Sequence, residues 1–475
     1  MTVLPGLPGM PGLPGFELLP DPSVADHTPN RANCTPPEQS FPRIGGLGGS
    51  GTHLLSGPPP GSADGLAGHL GRWGALPVLD GAAIRALLRT SALDGRGGGG
   101  FPLARKVETA WLTGGKPLLI INASESEPAS RKDRTLCAER PHLVLDGAAL
   151  LSTALGVVEV VIHLHRSPGS PATTLEAAVG ERLLHGMPDP RWRLSAGPDR
   201  YVAGESSAVA GFVDGGEARP RFATVPLAVE GPSGLPTVIS NVETVAHLAV
   251  IARKGPEAWS ALGSPSSPGS RLVTLTGAVS RPGQVLELSG PVTIGDVLVA
   301  DGFTSPPAAV LVGGFAGTWI LGDEAWQTPF SRDALHCVDA QPGCGLIGVL
   351  PHGACALTET ARIVRYLSGE SAGQCGTCVA GLPRLADCCE ALAEGSFRRR
   401  GIRKMTALAD VVLGSGACGH PDAVVRLIRS TLRIFEDDVV RHLAGQPCRD
   451  SDHPPVFAVP DAGCAIGRDD TRAWT

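Results

Sequence analysis

The sequence predicts an α/β fold with two further folded parts behind it, and three observations carry that expectation. Between residues 82 and 213, unbroken apolar runs alternate with amphipathic helix patterns, as expected of a mainly parallel sheet covered by helices. Near residue 265 the pattern changes to short alternating strands punctuated by Gly and Pro. From Leu357 onward it is helical with short connections, which suggests a bundle.

The elements follow in order. Ala82 to Leu93 (AAIRALLRTSAL) has helical periodicity. The run Gly95 to Gly100 comes next, then Pro102, which suits the first turn of a helix over about Leu103 to Leu112; Gly114-Gly115 stops it. Lys116 to Asn122 and Val157 to Leu164 read as strands buried on both faces. A helix from His142 to Leu155, capped by Gly156, lies between them. Tyr201-Val202-Ala203 is expected to end a third strand, and Gly204-Glu205-Ser206 to open another helix. Ser264 to Ser270 reads as a linker. Arg271 to Glu287 alternates like a hairpin, Thr293 to Ala300 is a short helix, and Ala309 to Ile320 returns as strand: a β-grasp-like module of about 60 residues. Four helical segments then run from TARIVRYLSGES to PDAVVRLIRSTLRIFEDDVVRHLAG. The start, MTVLPGLPGMPGLPG, lacks the basic and continuously apolar regions of a secretory signal. The expected divisions are a disordered, low-complexity segment over 1–74, an α/β domain over 75–262, the β-grasp module over 268–335, the helical bundle over 355–448 and a loose polar tail over 449–475.

Composition narrows the function classes. The 475 residues carry a formal net charge of −6, and lysine occurs only at 106, 116, 132, 254 and 404. No dense basic block exists, which argues against nucleic acid as a partner. The longest apolar stretch, around Gly147 to Val158, is too short for a membrane span and is closed by Glu159. The expectation is a cytoplasmic protein that reaches a membrane only through a partner complex. Of twelve cysteines, only Cys34 and Cys137 precede residue 330. Such clustering points to metal or cluster ligation rather than a disulfide frame.

Gly95, Gly97 and Gly100 formally match G-x-G-x-x-G, but a helix precedes them where the dinucleotide fingerprint needs a strand. A more general chemistry remains. Successive glycines, Gly98 among them, let backbone amides approach a phosphate, the helix after Pro102 aims its positive end there, and Lys106 adds a charge. A flexible loop in a glycine-rich chain is the competing reading. The segment Asn122 to Glu127 favours a site, because it sits past the carboxyl end of a buried strand, where open α/β sheets bind ligands. Asn122, Glu125 and Glu127 offer hydrogen bonds to a ring edge or hydroxyls, and Gly204-Glu205 occupies the equivalent edge of the next strand.

Taken together, GRGGGGFPLARK, NASESEPASRKDR, YVAGESSAV, GLPTVISNVETVAHL and ESAGQCGTC occur in the order that resembles the flavoprotein subunit family of respiratory complex I. The resemblance runs from about residue 75 to 448. It implies a Rossmann-like FMN- and NADH-binding α/β domain, a ubiquitin-like module and a helical iron–sulfur bundle. By the resemblance, Gly95, Gly97, Gly98, Gly100 and Lys106 hold the FMN phosphate and ribose. Asn122, Glu125, Tyr201, Gly204, Glu205 and Asn241 line the flavin, and Phe101 and Glu127 face the nicotinamide. The implied activity is hydride transfer from NADH to FMN, then single-electron transfer through a cluster to a ferredoxin-like or thioredoxin-like iron–sulfur acceptor or a quinone-reductase partner. The alternatives are a flavin-binding scaffold subunit with a degenerate NADH site, or a flavoenzyme with another donor.

The sequence departs from the family at defined places. Ser124, Ser206, Ser240, Ala223 and Pro226 replace family residues, which predicts retained FMN contacts and weakened or altered pyridine-nucleotide binding. The family's cluster motif reads here as Ala372, Cys375, Cys378 and Cys418, three thiolates instead of four. A three-iron cluster, or a four-iron cluster with an open corner, fits three thiolates. Zinc on Cys375, Cys378, Cys418 and His420 is the other metal reading. Cysteines 34, 137, 337, 344, 355, 448 and 464 show no ligand spacing and read as core or surface thiols. His163 and His165 alternate on a strand and read as structural.

Overall fold

In a computed structural model of the chain, the described residues are 43–46, 53–167, 169–222, 224–446, 448 and 454–460. Their strands are β1 (Arg43–Gly45), β2 (Leu118–Asn122), β3 (Glu159–His165), β4 (Arg191–Gly197), β5 (Thr237–Asn241), β6 (Arg271–Gly277), β7 (Val285–Ser289), β8 (Ala309–Val312), β9 (Thr318–Leu321) and β10 (Leu346–Leu350).

Apolar runs such as LLIIN and EVVIHLH bury both faces, so they need helices above and below. They form a four-stranded, all-parallel sheet in the order β4-β3-β2-β5. The helix Pro141–Leu155 is apolar nearly all round and packs with Val242–Lys254 on one face. The shorter helix Ser206–Val213 supplies Val209 and Ala210 to a small core with Ile120, Val161 and Ile239 on the other. Asn122 pairs in register with Asn241, so the carboxyl ends of β2 and β5 stand side by side.

The second sheet is mixed, in the order β1-β7-β6-β10-β8-β9. β6 and β7 form a hairpin, the helix Ile294–Asp301 starts at a reciprocal Thr293–Asp296 cap, and β8 and β9 form a second hairpin. β10 runs parallel to β6 and antiparallel to β8, which places it centrally. The helices Ala356–Gly369, Leu382–Ala393, Arg399–Val412, His420–Ile434 and Glu436–Leu443 share a core with Trp319 of β9, whose indole N–H donates to Thr360 Oγ1 at 3.0 Å.

Several expectations change. The third strand is β4, and Tyr201–Gly204 is a 3-10 turn. β4 escapes a search for apolar runs because RWRLSAG lies at the sheet edge and is half exposed. The span Ala309 to Ile320 divides into β8 and β9. β10 lies beyond the expected module boundary at 335; its five residues are too few for periodicity to register. Within the segment expected to be disordered, Leu54 and Leu55 are fully buried and Leu66–Trp73 is a helix. Within the tail expected to be loose, Phe457 is buried against Phe315 and Trp319. One or two apolar residues among Pro and Gly anchor each stretch, which composition averages out. Cys337 is disulfide-bonded rather than a thiol. Cys34, Cys464 and Ala223 lie outside the described residues. Among the described residues, no helix is long and apolar enough to cross a membrane.

Candidate flavin and cysteine site

The glycine run is pinned at both ends. Arg96 is buried; its backbone N–H donates to Thr244 Oγ1 at 2.9 Å and its guanidinium reaches Asp94 and the Pro268 carbonyl. Gly95 N–H donates to the Phe101 carbonyl at 3.0 Å, closing the loop. The amides between them are thereby held over the ends of β2 and β5. A Cβ at Gly97 would meet Asn241 Cβ at 3.1 Å, so a larger residue there would press on Asn241.

A cavity of about 530 Å³ opens between this loop, the strand ends and the helical part, within the size range of small-molecule sites. All the residues expected to hold or face the flavin and nicotinamide line it: Gly95, Gly97, Gly98, Gly100, Phe101, Lys106, Asn122, Glu125, Glu127, Tyr201, Gly204, Glu205 and Asn241. Cys418 lines it too.

The hydrogen bonds divide these residues into two groups. Four spend their side chains on the protein. Asn122 donates to the Gly204 carbonyl (2.9 Å) and accepts from Ser124 N–H (3.1 Å). Glu125 accepts from Ser130 Oγ (2.6 Å) and from the Asp133 and Arg134 amides (both 3.1 Å), capping Lys132–Glu139. Glu205 caps Ser206–Val213 through the Ser207 and Ala208 amides. Asn241 caps Val242–Lys254 and donates to Asp133 Oδ2 at 2.6 Å. They shape the cavity more than they address its contents.

The second group faces the cavity with capacity to spare. Ser124 Oγ, Ser126 Oγ and His420 Nδ1 are buried without a hydrogen-bond partner among the described residues. His420 Nε2 lies 2.9 Å from the Leu367 carbonyl, so Nε2 carries the proton and Nδ1 is an acceptor. Lys106 Nζ has the Ile239 carbonyl at 3.3 Å, and burial pushes its pKa down. An ammonium so placed favours an anion. Lys132 is buried beneath, held by Asp133 (2.7 Å) and Glu243 (2.9 Å). Burial opposes its charge, but those two carboxylates prevail and raise its pKa.

Glu127 is a strongly perturbed acid of the cavity. Burial pushes its pKa up to about 7, against the opposing hydrogen bonds from the Phe315 amide (2.9 Å) and the Tyr201 hydroxyl (3.3 Å). Phe101 stands at the mouth, 41 % exposed, with the Arg105 guanidinium 5.5 Å and the Lys106 ammonium 5.8 Å from its ring centre.

Sequence reading missed the contributions of Ser130, Lys132, Gly313, Ala316, Gly343 and Cys344, which line the same cavity. Lys132 was detectable, since it is one of five lysines and falls in the same motif as Glu127. Gly313, Ala316, Gly343 and Cys344 come from the second sheet and its loops, a tertiary juxtaposition without local signal.

Cys375, Cys378 and Cys418 gather beside this cavity. Cys378 sits in a π-helical turn, Thr377–Gly381, that leads into Leu382–Ala393. Its pKa is raised, first by burial and then by the nearby sulfurs of Cys375 and Cys418. Cys375 is held the other way: burial raises it, but the Thr377 hydroxyl 2.9 Å away and neighbouring amides lower it overall. Cys418 is pushed up to about 11, chiefly by burial. His420 Nε2 is held by the Leu367 carbonyl, and its unpartnered Nδ1 faces the cavity that Cys418 also lines. Cys389 points into the helical core with Leu357 and Met405 rather than toward the three cysteines.

Comparison with known proteins follows the same division. Residues 88–250 match the family described as Nuo51 FMN-binding domain, and residues 358–442 match the NADH-ubiquinone oxidoreductase-F iron-sulfur binding region. The NADH-quinone oxidoreductase F subunit of Streptomyces coelicolor is 28% identical over 375 residues, covering 76% of this chain and 83% of that protein. An NADH-quinone oxidoreductase F 2 subunit of Rhizobium meliloti is 26% identical, covering 77% and 90%. Among solved structures, a chain of an NAD+-reducing [NiFe]-hydrogenase in the H2-reduced state superposes with a TM-score of 0.71 at 29% identity, covering 78% of this chain. The match spans 63% of that hydrogenase chain.

Proposed function

We propose, from the premise that this chain belongs to the family of NADH-quinone oxidoreductase F subunits, that it is an FMN-dependent NADH-oxidising electron-transfer subunit. The observation that carries the reading is that the pinned glycine loop, the β2 and β5 ends and Cys418 all border one cavity. The cavity's chemistry fits FMN. It offers backbone amides and a buried ammonium for a phosphate, orphaned hydroxyls at Ser124 and Ser126 for a polar ring edge, and glycines where a Cβ would intrude.

When bound, FMN supplies the conversion between a two-electron hydride and single electrons. The chain's own residues do the rest. Gly97 to Gly100 and Lys106 would hold its phosphate, and Asn122 and Asn241 fix the strand ends that border it. The Glu127 carboxyl, titrating near neutral pH, holds or releases a proton at Oε1, while Oε2 accepts from the Phe315 amide and the Tyr201 hydroxyl. Phe101 and Glu127 face the nicotinamide, and the walls from Gly313 to Ala316 and at Gly343 exclude water on that side.

Cys375, Cys378 and Cys418 fit an iron–sulfur cluster with three cysteinyl thiolates, either three-iron or four-iron with an open corner at Ala372. The acceptor is a ferredoxin-like or thioredoxin-like iron–sulfur protein, or a quinone-reductase partner, and any membrane association of this cytoplasmic protein runs through such a complex. The six-stranded part is a β-grasp module, supported by its hairpin, helix, hairpin and parallel central strand. The five C-terminal helices form the cluster-bearing bundle.

The replacements at Ser206 and Pro226 weaken the donor end, while Ser124 keeps a polar group at the flavin end. Anaerobic spectroscopy tests this: FMN binds, and NADH bleaches it only well above micromolar concentration. Failure of the protein to take up FMN would refute the reading. Bleaching by another donor but not by NADH would favour the alternative flavoenzyme.

A further inference from the structure

One buried side-chain cluster has no part in the chemistry above. Cys355, His442 and Cys448 bring their ligand atoms within 4.8 Å of one another. Cys355 immediately precedes the helix Ala356–Gly369 and is 3 % exposed. His442 lies in the last turn of Glu436–Leu443 and is 1 % exposed. Cys448 follows that helix and is half-buried. Cys355 and Cys448 are therefore neighbours, not the unrelated thiols that their spacing suggests. Cys355 and His442 are 87 positions apart, so no spacing motif announces them.

The imidazole is oriented as a ligand. His442 Nδ1 lies 3.0 Å from the Leu392 carbonyl. A carbonyl only accepts, so Nδ1 carries the proton and the Nε2 lone pair points at the sulfurs. Metal-binding histidines are commonly held this way by a backbone carbonyl. Nε2 is 3.6 Å from Cys355 Sγ and 3.1 Å from Cys448 Sγ. Zn–S bonds of about 2.3 Å and Zn–N bonds of about 2.0–2.1 Å give a tetrahedron with S···N edges of about 3.6 Å. One edge already has that length, and the other lies on Cys448, just past the last helix, where small adjustment is easiest.

We propose that Cys355, His442 and Cys448 bind a zinc(II) ion, with water as the fourth ligand. Two thiolates and one neutral imidazole suit zinc in softness and geometry. Both thiols release their protons on binding, and the two thiolate charges balance the ion. The Cys448 amide, which donates to Nε2 at 3.0 Å, yields that lone pair to the metal. The ion staples the segment after the last helix to the start of Ala356–Gly369 and shares no residue with the Cys375, Cys378 and Cys418 set.

The test uses the full-length protein with its FMN and iron. Zinc and iron are quantified by mass spectrometry, and the zinc environment is read by X-ray absorption. The expected result is one zinc per chain with two sulfur neighbours at about 2.3 Å and nitrogen or oxygen at about 2.0–2.1 Å. Cys448→Ser and His442→Gln should lose the zinc while iron and FMN contents stay unchanged. A wild-type protein without zinc overturns the proposal, and so does zinc retained in Cys448→Ser. A Cys355–Cys448 disulfide in peptides mapped without reductant overturns it as well. The wild-type absorption spectrum decides the matter even if a variant fails to fold.

Discussion

Glu127→Gln is predicted to make the apo protein more heat-stable at alkaline pH and to change little at acid pH. Burial holds the Glu127 carboxyl at about 7 in the folded chain, against a usual value of 4.5. The folded-state pKa is raised, so the stability this proton contributes is fully present below 4.5 and is lost as pH rises through 7. At about 1.36 kcal/mol per pKa unit, ionising the buried group costs about 3 kcal/mol once pH exceeds 7. The glutamine keeps an oxygen to accept from the Phe315 amide and cannot ionise. For a chain of this size the cost corresponds to a thermal midpoint difference of about 3–4 °C. The assay is calorimetry of wild type and variant at about pH 4 and about pH 8.5. The variant should match the wild type at the lower pH and exceed it at the higher. Equal pH dependence in the two proteins would refute the assignment of a buried, neutral-range carboxyl here.

Other outcomes follow from the same geometry. Lys106→Ala should weaken FMN binding by about 10- to 100-fold, the value of a charge-assisted hydrogen bond, as read by quenching of FMN fluorescence. Gly204→Ala places a Cβ 2.0 Å from Ser126 Oγ and 3.3 Å from the Ser124 carbonyl. It should cost about 1–3 kcal/mol of flavin binding or stability, partly restored by adding Ser126→Ala, because the severe clash is with that hydroxyl. Asp146 is buried between His69 (2.7 Å), Arg182 (2.7 Å) and Arg253. Burial opposes its charge, but these partners prevail and hold it below the usual carboxylate range. Asp146→Ala should therefore cost about 3–5 kcal/mol above about pH 4, measured by thermal unfolding, with the difference shrinking as acid protonates the wild-type group.

How much was legible depends on how local each signal is. Strand β2 is a continuous apolar run and β3 a mostly apolar one, and their helices carry Pro and Gly at the ends, so the parallel core could be read directly. β4 could not, because an edge strand has no apolar signature. For the site, every residue expected around the flavin faces the cavity, since the family's motifs are themselves short local segments. Their roles were less legible. Glu125 and Glu205 look like ligand-binding acids in sequence, yet both cap helices. A cap and a ligand contact use the same residue types, and only hydrogen-bond partners separate them. The Cys355, His442 and Cys448 cluster was invisible because it is made entirely by folding.

The central claim is that one cavity binds FMN and delivers NADH to it. An anaerobic NADH titration of the FMN-reconstituted protein, followed by flavin absorbance, tests it most directly. The predicted result is a yellow protein whose flavin bands bleach completely with NADH, with half-saturation well above micromolar. A protein that takes up no FMN, or whose flavin is bleached by dithionite but by no concentration of NADH, would contradict it.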